Sequence, residues 1–207
     1  CPVQPPGRET RRAEPPLTSA AELARELADV VVEQVEVPFA VFGHSTGAVV
    51  AFELCRRLRT LGAPQPAHLF VSGRRAPQLP EIDSGLESMD LEQLARTLRE
   101  HGGTPDWVIE APGLLRAIHP LLAADFAVSE RYRYQAEPPL PVPITAFAAD
   151  GDPRADVAQL AAWREQSDAG FALHELAGGH FAVLEQAGLV HDVIAGTLTA
   201  PAGMRQL

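Results

Sequence analysis

Residues 41–50 read VFGHSTGAVV and place Ser45 between two glycines at the spacing G-x-S-x-G. The apolar run of residues 39–42 lies between a proline and a glycine, which is typical of a strand buried on both faces. From Ser45 to about Leu61 the apolar residues recur at helical spacing, and a glycine follows as a stop signal. A strand, a tight turn and a helix in this order would expose the Ser45 side chain above the edge of a sheet. The order favours a nucleophile over an ordinary serine in a glycine-rich loop.

The composition narrows the class of protein. The 207 residues are enough for one domain with an inserted subdomain, and the net charge of -10 argues against nucleic acid as the main partner. No apolar run approaches the roughly 20 residues that a membrane span needs. The two cysteines, Cys1 and Cys55, have no C-x-x-C spacing, which argues against a disulfide framework and against a metal or redox site. Such sparse cysteine use favours a reducing, cytoplasmic setting.

Arginines are concentrated in the first part of the chain. Residues 1–75 hold nine arginines against eight acidic residues, although the chain as a whole is strongly acidic. Three adjacent pairs stand out, namely Arg11-Arg12, Arg56-Arg57 and Arg74-Arg75. Solvated helix faces and loop ends explain such pairs, and an anion-binding patch near the mouth of a site is the alternative.

The alternation of strand and helix recurs along the chain. Further buried strands are predicted at residues 68–72, 143–148 and 171–176, and helices at about 20–35, 155–166 and 183–199. Ser19 and Glu22 fit a capping box at the start of the first of these helices. Strands that alternate with helices over short connections predict an α/β protein with a parallel sheet.

Residues 77–137 break this alternation, because they contain helical patterns but no strand. Asp90 and Gln93 are spaced to cap a helix that runs to His101, where two glycines stop it, and a second helix is predicted at about 113–132. The segment therefore predicts a helical lid, inserted between core segments at residues 1–76 and 138–207.

A serine hydroxyl needs a base to take its proton, and His180 is the best candidate. It follows a late strand in the small-residue loop Gly178-Gly179-His180-Phe181, which would let the imidazole reach over the sheet edge. His44 precedes the serine and is expected to point away from it and to pack. Structural roles are favoured for the five others, which lie in predicted strands or helices: His68, His101, His119, His174 and His191.

The acid that orients the base should follow the strand at residues 143–148, because chain order in this arrangement is serine, acid, histidine. Asp150 and Asp152 both lie there, and one of them is expected to be a turn former. The spacing alone leaves the two open. Asp156, at a helix start, and Asp168, in a surface turn, are poorer candidates.

Several further segments have a familiar combination of residues: Pro6-Gly7-Arg8-Glu9, Phe42-Gly43-His44-Ser45-Thr46-Gly47-Ala48, Ala51-Phe52-Glu53-Leu54, Val71-Ser72-Gly73-Arg74-Arg75-Ala76-Pro77, Gly102-Gly103-Thr104-Pro105, Ala124-Asp125-Phe126, Tyr132-Arg133-Tyr134, Trp163-Arg164 and Gly178-Gly179-His180-Phe181. In this combination the chain resembles, nearly end to end, the type II thioesterases that accompany polyketide synthases and nonribosomal peptide synthetases. These are stand-alone enzymes of the α/β-hydrolase fold, with a mostly parallel sheet, helices on both faces and a helical lid.

The resemblance implies a catalytic triad of Ser45, Asp152 and His180, with Asp152 chosen because the acid of the family directly precedes a proline. It implies that the Thr46 N–H helps to hold the oxyanion. The implied substrate is an acyl group on the phosphopantetheine arm of an acyl or peptidyl carrier protein, and the implied role is to clear stalled or wrong acyl groups. No metal or diffusible cofactor is implied.

The chain departs from the family pattern at several positions. Thr46 stands where a methionine is usual, Ala149 where a glycine is usual and Ala123 where an arginine is frequent. Family members also carry a segment before Pro6 that holds the first strands and the loop with a second oxyanion donor, and these N-terminal strands are expected to be missing from this chain. Two other hypotheses remain open: a general carboxylesterase with the same triad, and an inactive fragment that binds carrier proteins.

Overall fold

The computed structural model describes residues 1–80, 85 and 88–199, with the side chain of His101 excepted. Residues 81–84 and 86–87 of the predicted lid lie outside the described part of the chain. Residues 200–207 of the second predicted core segment also lie outside it.

The described chain contains one parallel four-stranded sheet, as the sequence predicts. Its strands lie in the order β1-β2-β3-β4, where β1 is Val41–His44, β2 Leu69–Ser72, β3 Ile144–Ala149 and β4 Phe171–Leu176. Three strands match their predicted bounds to within one residue. The first, β1, begins two residues later than predicted and continues through Gly43 and His44 to the residue before Ser45.

Within the described ranges, eight α-helices connect and flank these strands: α1 Ala20–Gln34, α2 Thr46–Thr60, α3 Leu91–His101, α4 Asp106–Ile109, α5 Pro112–Glu130, α6 Val157–Ala161, α7 Ala182–Glu185 and α8 Ala187–Thr199. Two predicted helices are interrupted. A 3-10 segment, Ala162–Gln166, continues α6, and the predicted helix at 183–199 is divided at Gln186, whose backbone leaves the helical range at φ -108° and ψ 36°. The short helix α4 was not predicted. Before α1, the Ser19 hydroxyl accepts a hydrogen bond from the Glu22 N–H, which is one of the two bonds of the proposed capping box.

Apolar side chains cover both faces of the sheet, which confirms the α/β architecture with helices on both sides. On one face Val71 of β2 belongs to a buried cluster with Phe52 of α2 and with Trp163. On the other face Phe70 of β2 is clustered with residues of α7 and α8, among them Val190. Successive residues of a strand point to opposite faces, so a strand covered on both sides is apolar throughout.

Three helices between β2 and β3 pack around a small apolar cluster of their own. Leu94 and Leu98 of α3 meet Ile109 of α4 and Leu115 of α5 in it, and α3 begins at a capping box of Asp90 and Gln93, as the sequence predicts.

The last turns of α5 lie against the core. Val128 packs with Ala20 and Val49, Arg8 forms an ion pair with Asp125, and Arg74 donates a hydrogen bond to the Ser129 hydroxyl. The helical segment is thus attached to the core near its C-terminal end.

No helix in the described ranges combines the length and the apolar character that crossing a membrane requires.

Candidate active site

Ser45 occupies a sharp turn between β1 and α2. Its backbone has φ 53° and ψ -121°, and among the described residues other than glycine Glu9 alone shares a positive φ. Two hydrogen bonds hold this conformation: the Ser45 N–H donates to the Ser72 carbonyl oxygen at 2.8 Å, and the Ser45 carbonyl oxygen accepts from the Ala48 N–H at 3.0 Å. Such backbone strain costs on the order of 1–3 kcal/mol and is concentrated at functional sites.

The two glycines that flank Ser45 have different roles. A Cβ atom on Gly43 would lie 2.6 Å from the Cα of Ala48, because the first turn of α2 packs directly on the end of β1. A Cβ atom on Gly47 would meet no atom within 4 Å. The protein itself therefore requires glycine only at the first of the two positions.

His180 and Asp152 form a buried pair above the sheet edge. The His180 Nδ1 lies 2.9 Å from the Asp152 Oδ2, and the Arg154 N–H donates to the other carboxylate oxygen at 2.9 Å. Burial alone would raise the pKa of Asp152, but the hydrogen bonds from His180 and Arg154 and the nearby positive charge lower the pKa below its ordinary value. Because an ionised carboxylate can only accept, Nδ1 carries the proton and Nε2 is the basic nitrogen of His180.

Asp150 has a different function. Its Oδ1 accepts from the Gly178 N–H at 2.9 Å, and the Gly151 N–H donates to the Gly178 carbonyl oxygen at 2.9 Å. These bonds fasten the loop after β3 to the loop that carries His180. The spacing in the sequence left open which of the two acids contacts the histidine. In the structure Asp152 contacts His180, and Asp150 forms the turn.

His44 packs against a residue that the sequence did not indicate. Its ring lies beside His180, with the ring centroids 4.8 Å apart, and its Nδ1 is 2.9 Å from the Ser72 Oγ. The prediction that His44 packs agrees with this ring contact, but the sequence did not predict His180 as the neighbour. Burial, followed by the charge of His180, lowers the pKa of His44 to about 4.

Gly73 makes room for both imidazoles. It has φ 58°, and a Cβ atom there would lie 2.5 Å from the His44 Cε1 and 3.0 Å from the His180 Cε1. Ser45, His44 and His180 are therefore gathered at the same end of β1 and β2.

Thr46 begins α2, a helix of 15 residues. The N–H groups of a first helical turn have no acceptor within the helix, and the helix dipole favours negative charge there. The Thr46 N–H is thus suited to an anionic oxygen on a substrate bound at Ser45.

Most of the remaining histidines and arginines are engaged in structural contacts. His68 bonds to the Thr145 hydroxyl and His119 to the Met89 carbonyl oxygen, and His174 packs near Phe147. One or both arginines of each predicted pair are also bound within the protein: Arg11 to Glu14, Arg56 to Glu53 and Glu137, Arg74 to Ser129 and Arg75 to the Pro80 carbonyl oxygen. These contacts favour the structural explanation of the pairs.

Comparison with known proteins gives a consistent family. The model of the thioesterase domain matches residues 1–198. The chain is 39% identical to the linear gramicidin dehydrogenase LgrE of Brevibacillus parabrevis over 201 residues, covering 96% of this chain and 76% of that protein. It is also 39% identical to the gramicidin S biosynthesis protein GrsT of Aneurinibacillus migulanus over 185 residues, covering 89% of this chain and 72% of that one.

Solved structures with a similar fold are thioesterases as well. The type II thioesterase BorB from the borrelidin biosynthetic cluster has a TM-score of 0.85 at 39% identity, with 93% of this chain and 78% of that chain covered. The RedJ thioesterase of the prodiginine pathway in Streptomyces coelicolor has a TM-score of 0.86 at 37% identity, with 94% and 76% covered.

The unequal packing of the two glycines predicts unequal effects of alanine. Gly43→Ala should lower the free energy of unfolding by about 1–3 kcal/mol, since its new methyl group meets the backbone of α2. Gly47→Ala, the matched control, should leave it unchanged or raise it slightly, because alanine is the better helix former. Urea unfolding of both variants is the measurement, and equal losses would contradict the packing described.

The half-buried, neutral ring of His44 predicts a loss of stability in acid. Its folded pKa of about 4 lies below the ordinary 6.5, so the unfolded chain binds the proton first as the pH falls. The free energy of unfolding should therefore fall between about pH 6.5 and about pH 4, by at most about 3 kcal/mol from this group. His44→Phe should flatten the decline in this window, as followed by urea unfolding at several pH values. A decline of the same steepness in the variant would assign the effect to other groups.

Proposed function

This chain belongs to the thioesterase family, and we propose that it is a type II thioesterase with Ser45 as nucleophile, His180 as base and Asp152 as the acid that orients it. The proposed activity is hydrolysis of acyl groups from the phosphopantetheine arm of acyl or peptidyl carrier proteins. The observation that carries the proposal is the buried hydrogen bond between His180 and Asp152 at the same end of the sheet as the strained Ser45.

In the first half of the reaction, His180 Nε2 takes the Ser45 hydroxyl proton while Oγ bonds to the thioester carbonyl carbon. Negative charge develops on the carbonyl oxygen, and the Thr46 N–H donates to it. The carbon–sulfur bond then breaks, and the thiol of the carrier arm leaves with the proton from His180. Asp152 remains ionised throughout and stabilises the imidazolium that forms between these steps.

In the second half, His180 takes a proton from water, and the hydroxide oxygen bonds to the acyl carbon of the Ser45 ester. The carbon–Oγ bond breaks and Oγ regains the proton, so that the free carboxylic acid leaves and the enzyme is restored. Protein groups alone supply this chemistry, and the phosphopantetheine belongs to the substrate.

The biological setting follows from the relatives. GrsT is named as a gramicidin S biosynthesis protein, and the neighbour YbtT as a type II thioesterase from a nonribosomal peptide and polyketide pathway. We infer the corresponding role here: removal of stalled or wrongly loaded acyl groups from carrier proteins in polyketide or nonribosomal peptide biosynthesis. A cytoplasmic location is part of this proposal, and it is supported by two unpaired cysteines, Cys1 and Cys55.

We also propose that the helical segment of residues 77–137 is a lid over a core of residues 1–76 and 138–207. The contact that supports a lid is between Gly103, in the loop before α4, and the ring of Phe181, the neighbour of His180. A Cβ atom on Gly103 would lie 2.5 Å from the Phe181 Cδ2. The loop therefore lies beside the residues that we assign to catalysis.

The assignment of the acid predicts a large difference between two neighbouring aspartates. Asp152→Asn should lower kcat about 10³–10⁴-fold, because an amide cannot stabilise the imidazolium or hold the required tautomer. Asp150→Asn is the matched control and should stay within about tenfold of wild type, since its amide oxygen can still accept from Gly178. The assay is intact-mass detection of acyl loss from an acyl-loaded carrier protein, with Ser45→Ala as the inactive reference. Equal losses in the two variants would refute the assignment of Asp152.

The lid proposal predicts that a methyl group at Gly103 lowers activity more than a methyl group at Gly102. Both glycines have positive φ, 71° and 77°, but a Cβ atom on Gly102 would meet no atom within 4 Å. Gly103→Ala should lower kcat/KM for the acyl carrier protein by roughly 10-fold or more through displacement of Phe181. Gly102→Ala also places a side chain at a positive φ but makes no clash, and a decrease of similar size in that variant would contradict the lid contact.

A further inference from the structure

We propose that His44 is a positioning residue for His180: its neutral ring, anchored to the Ser72 hydroxyl, fixes the place of the His180 ring beside Ser45. This inference rests on the proposed function, because it gives His44 an effect only through the base. His44 belongs to the G-x-S-x-G segment but is not a member of the proposed triad.

Ser72 provides the anchor. It lies directly opposite His44 in the pairing of β1 with β2, and it is buried with 1% of its surface exposed. Its hydroxyl is 2.9 Å from the His44 Nδ1, while its carbonyl oxygen accepts the Ser45 N–H at 2.8 Å. One residue of β2 thus fixes both the backbone of the nucleophile and the ring of His44.

The contact with His180 is a packing of rings. The centroids of His44 and His180 lie 4.8 Å apart with the planes inclined by 46°. Phe181 approaches His180 edge-on at 5.1 Å and approaches His44 at 5.5 Å. Gly73 lies against both imidazoles, close enough that a methyl group there would collide with them. The His180 ring therefore has neighbours that restrict its rotation, and Asp152 holds it at Nδ1.

The charge of His44 suits this position. Burial and the positive charges of His180 and Arg154 oppose its protonation, and only Asp152 favours it. A neutral ring can remain next to the imidazolium that His180 becomes during the reaction, whereas a charged ring would repel it. His44 is thus a neighbour whose charge stays constant while the base gains and loses a proton.

The imidazole has an energetic cost that an apolar ring would avoid. The His44 Nε2 is buried and has no hydrogen-bond partner among the described residues. An unsatisfied polar atom of this kind costs roughly 1–3 kcal/mol. Phenylalanine would fill the same space without this cost but would lose the anchor at Ser72. His44→Phe should therefore fold well and still be slower.

The test measures kcat and KM for deacylation of an acyl-loaded carrier protein. His44→Phe, which keeps a ring without the anchor, and Ser72→Ala, which removes the anchor, should each lower kcat about 10-fold, and His44→Ala should lower it up to about 100-fold. KM should stay within about twofold, and the acid limb of the pH–rate profile should keep its position, because His44 does not titrate there. Unchanged kcat in folded variants would overturn the proposal.

A matched control exists at the other end of β2. His68 is buried, and its Nε2 is 2.8 Å from the Thr145 hydroxyl. Thr145→Val removes a hydroxyl partner from a histidine ring, as Ser72→Ala does, but at the end of the sheet opposite to Ser45. Thr145→Val should leave kcat unchanged. A decrease as large as that of Ser72→Ala would mean that the loss of kcat reflects a general loss of stability and not the positioning of His180.

A double-mutant cycle isolates the effect on the base. In single-turnover measurements, His44→Ala should slow wild type but leave the residual rate of His180→Ala unchanged, because the residue through which it acts is gone. Equal slowing in both backgrounds would overturn the inference. The Ser45→Ala variant keeps the two proposals separate: if it retains wild-type deacylation, the proposed function fails, whereas an inactive Ser45→Ala together with unaffected His44 variants refutes only the positioning role.

Discussion

The hydrogen bond from the Ser45 N–H to the Ser72 carbonyl oxygen is the constraint on which the site depends. It continues the pairing of β1 with β2 by one residue and helps to hold Ser45 at a positive φ. The reversal of direction that follows brings the first turn of α2 onto Gly43, so closely that only glycine fits there. The position of the Ser45 side chain, the start of α2 at Thr46 and the place of the His44 ring all follow from this one turn.

The parallel sheet explains how distant residues meet. The carboxyl ends of all four strands lie at one edge, so the turns after them are neighbours although they are far apart in sequence. Ser45 follows β1, Gly73 follows β2, Asp152 follows β3 and His180 follows β4. Bonds between loops then set the geometry, with Asp150 joining the third turn to the fourth and Asp152 holding the histidine.

Local sequence patterns predicted the strands and most helices well. They did not predict the contacts between residues that are far apart in the chain. Buried strands and the Asp90 cap leave signals within a few residues, and these predictions are confirmed. The choice between Asp150 and Asp152 depends on bonds to a loop 28 residues away, which the spacing cannot reveal. The sequence predicts that His44 packs, but not that it packs against His180, which follows β4 far along the chain. The approach of Gly103 to Phe181 joins two loops that are far apart in the chain, and the sequence contains no local signal for it.

The central claim, that Ser45 is the nucleophile, is tested most directly by covalent labelling. The protein would be titrated with a fluorophosphonate, and peptide mapping and residual deacylation of an acyl carrier protein would be measured on the same samples. The account predicts one label per chain, on Ser45, with activity lost in proportion to labelling and no label on this peptide in Ser45→Ala. Full labelling of Ser45 with undiminished deacylation, or loss of activity through a label on another residue, would contradict it.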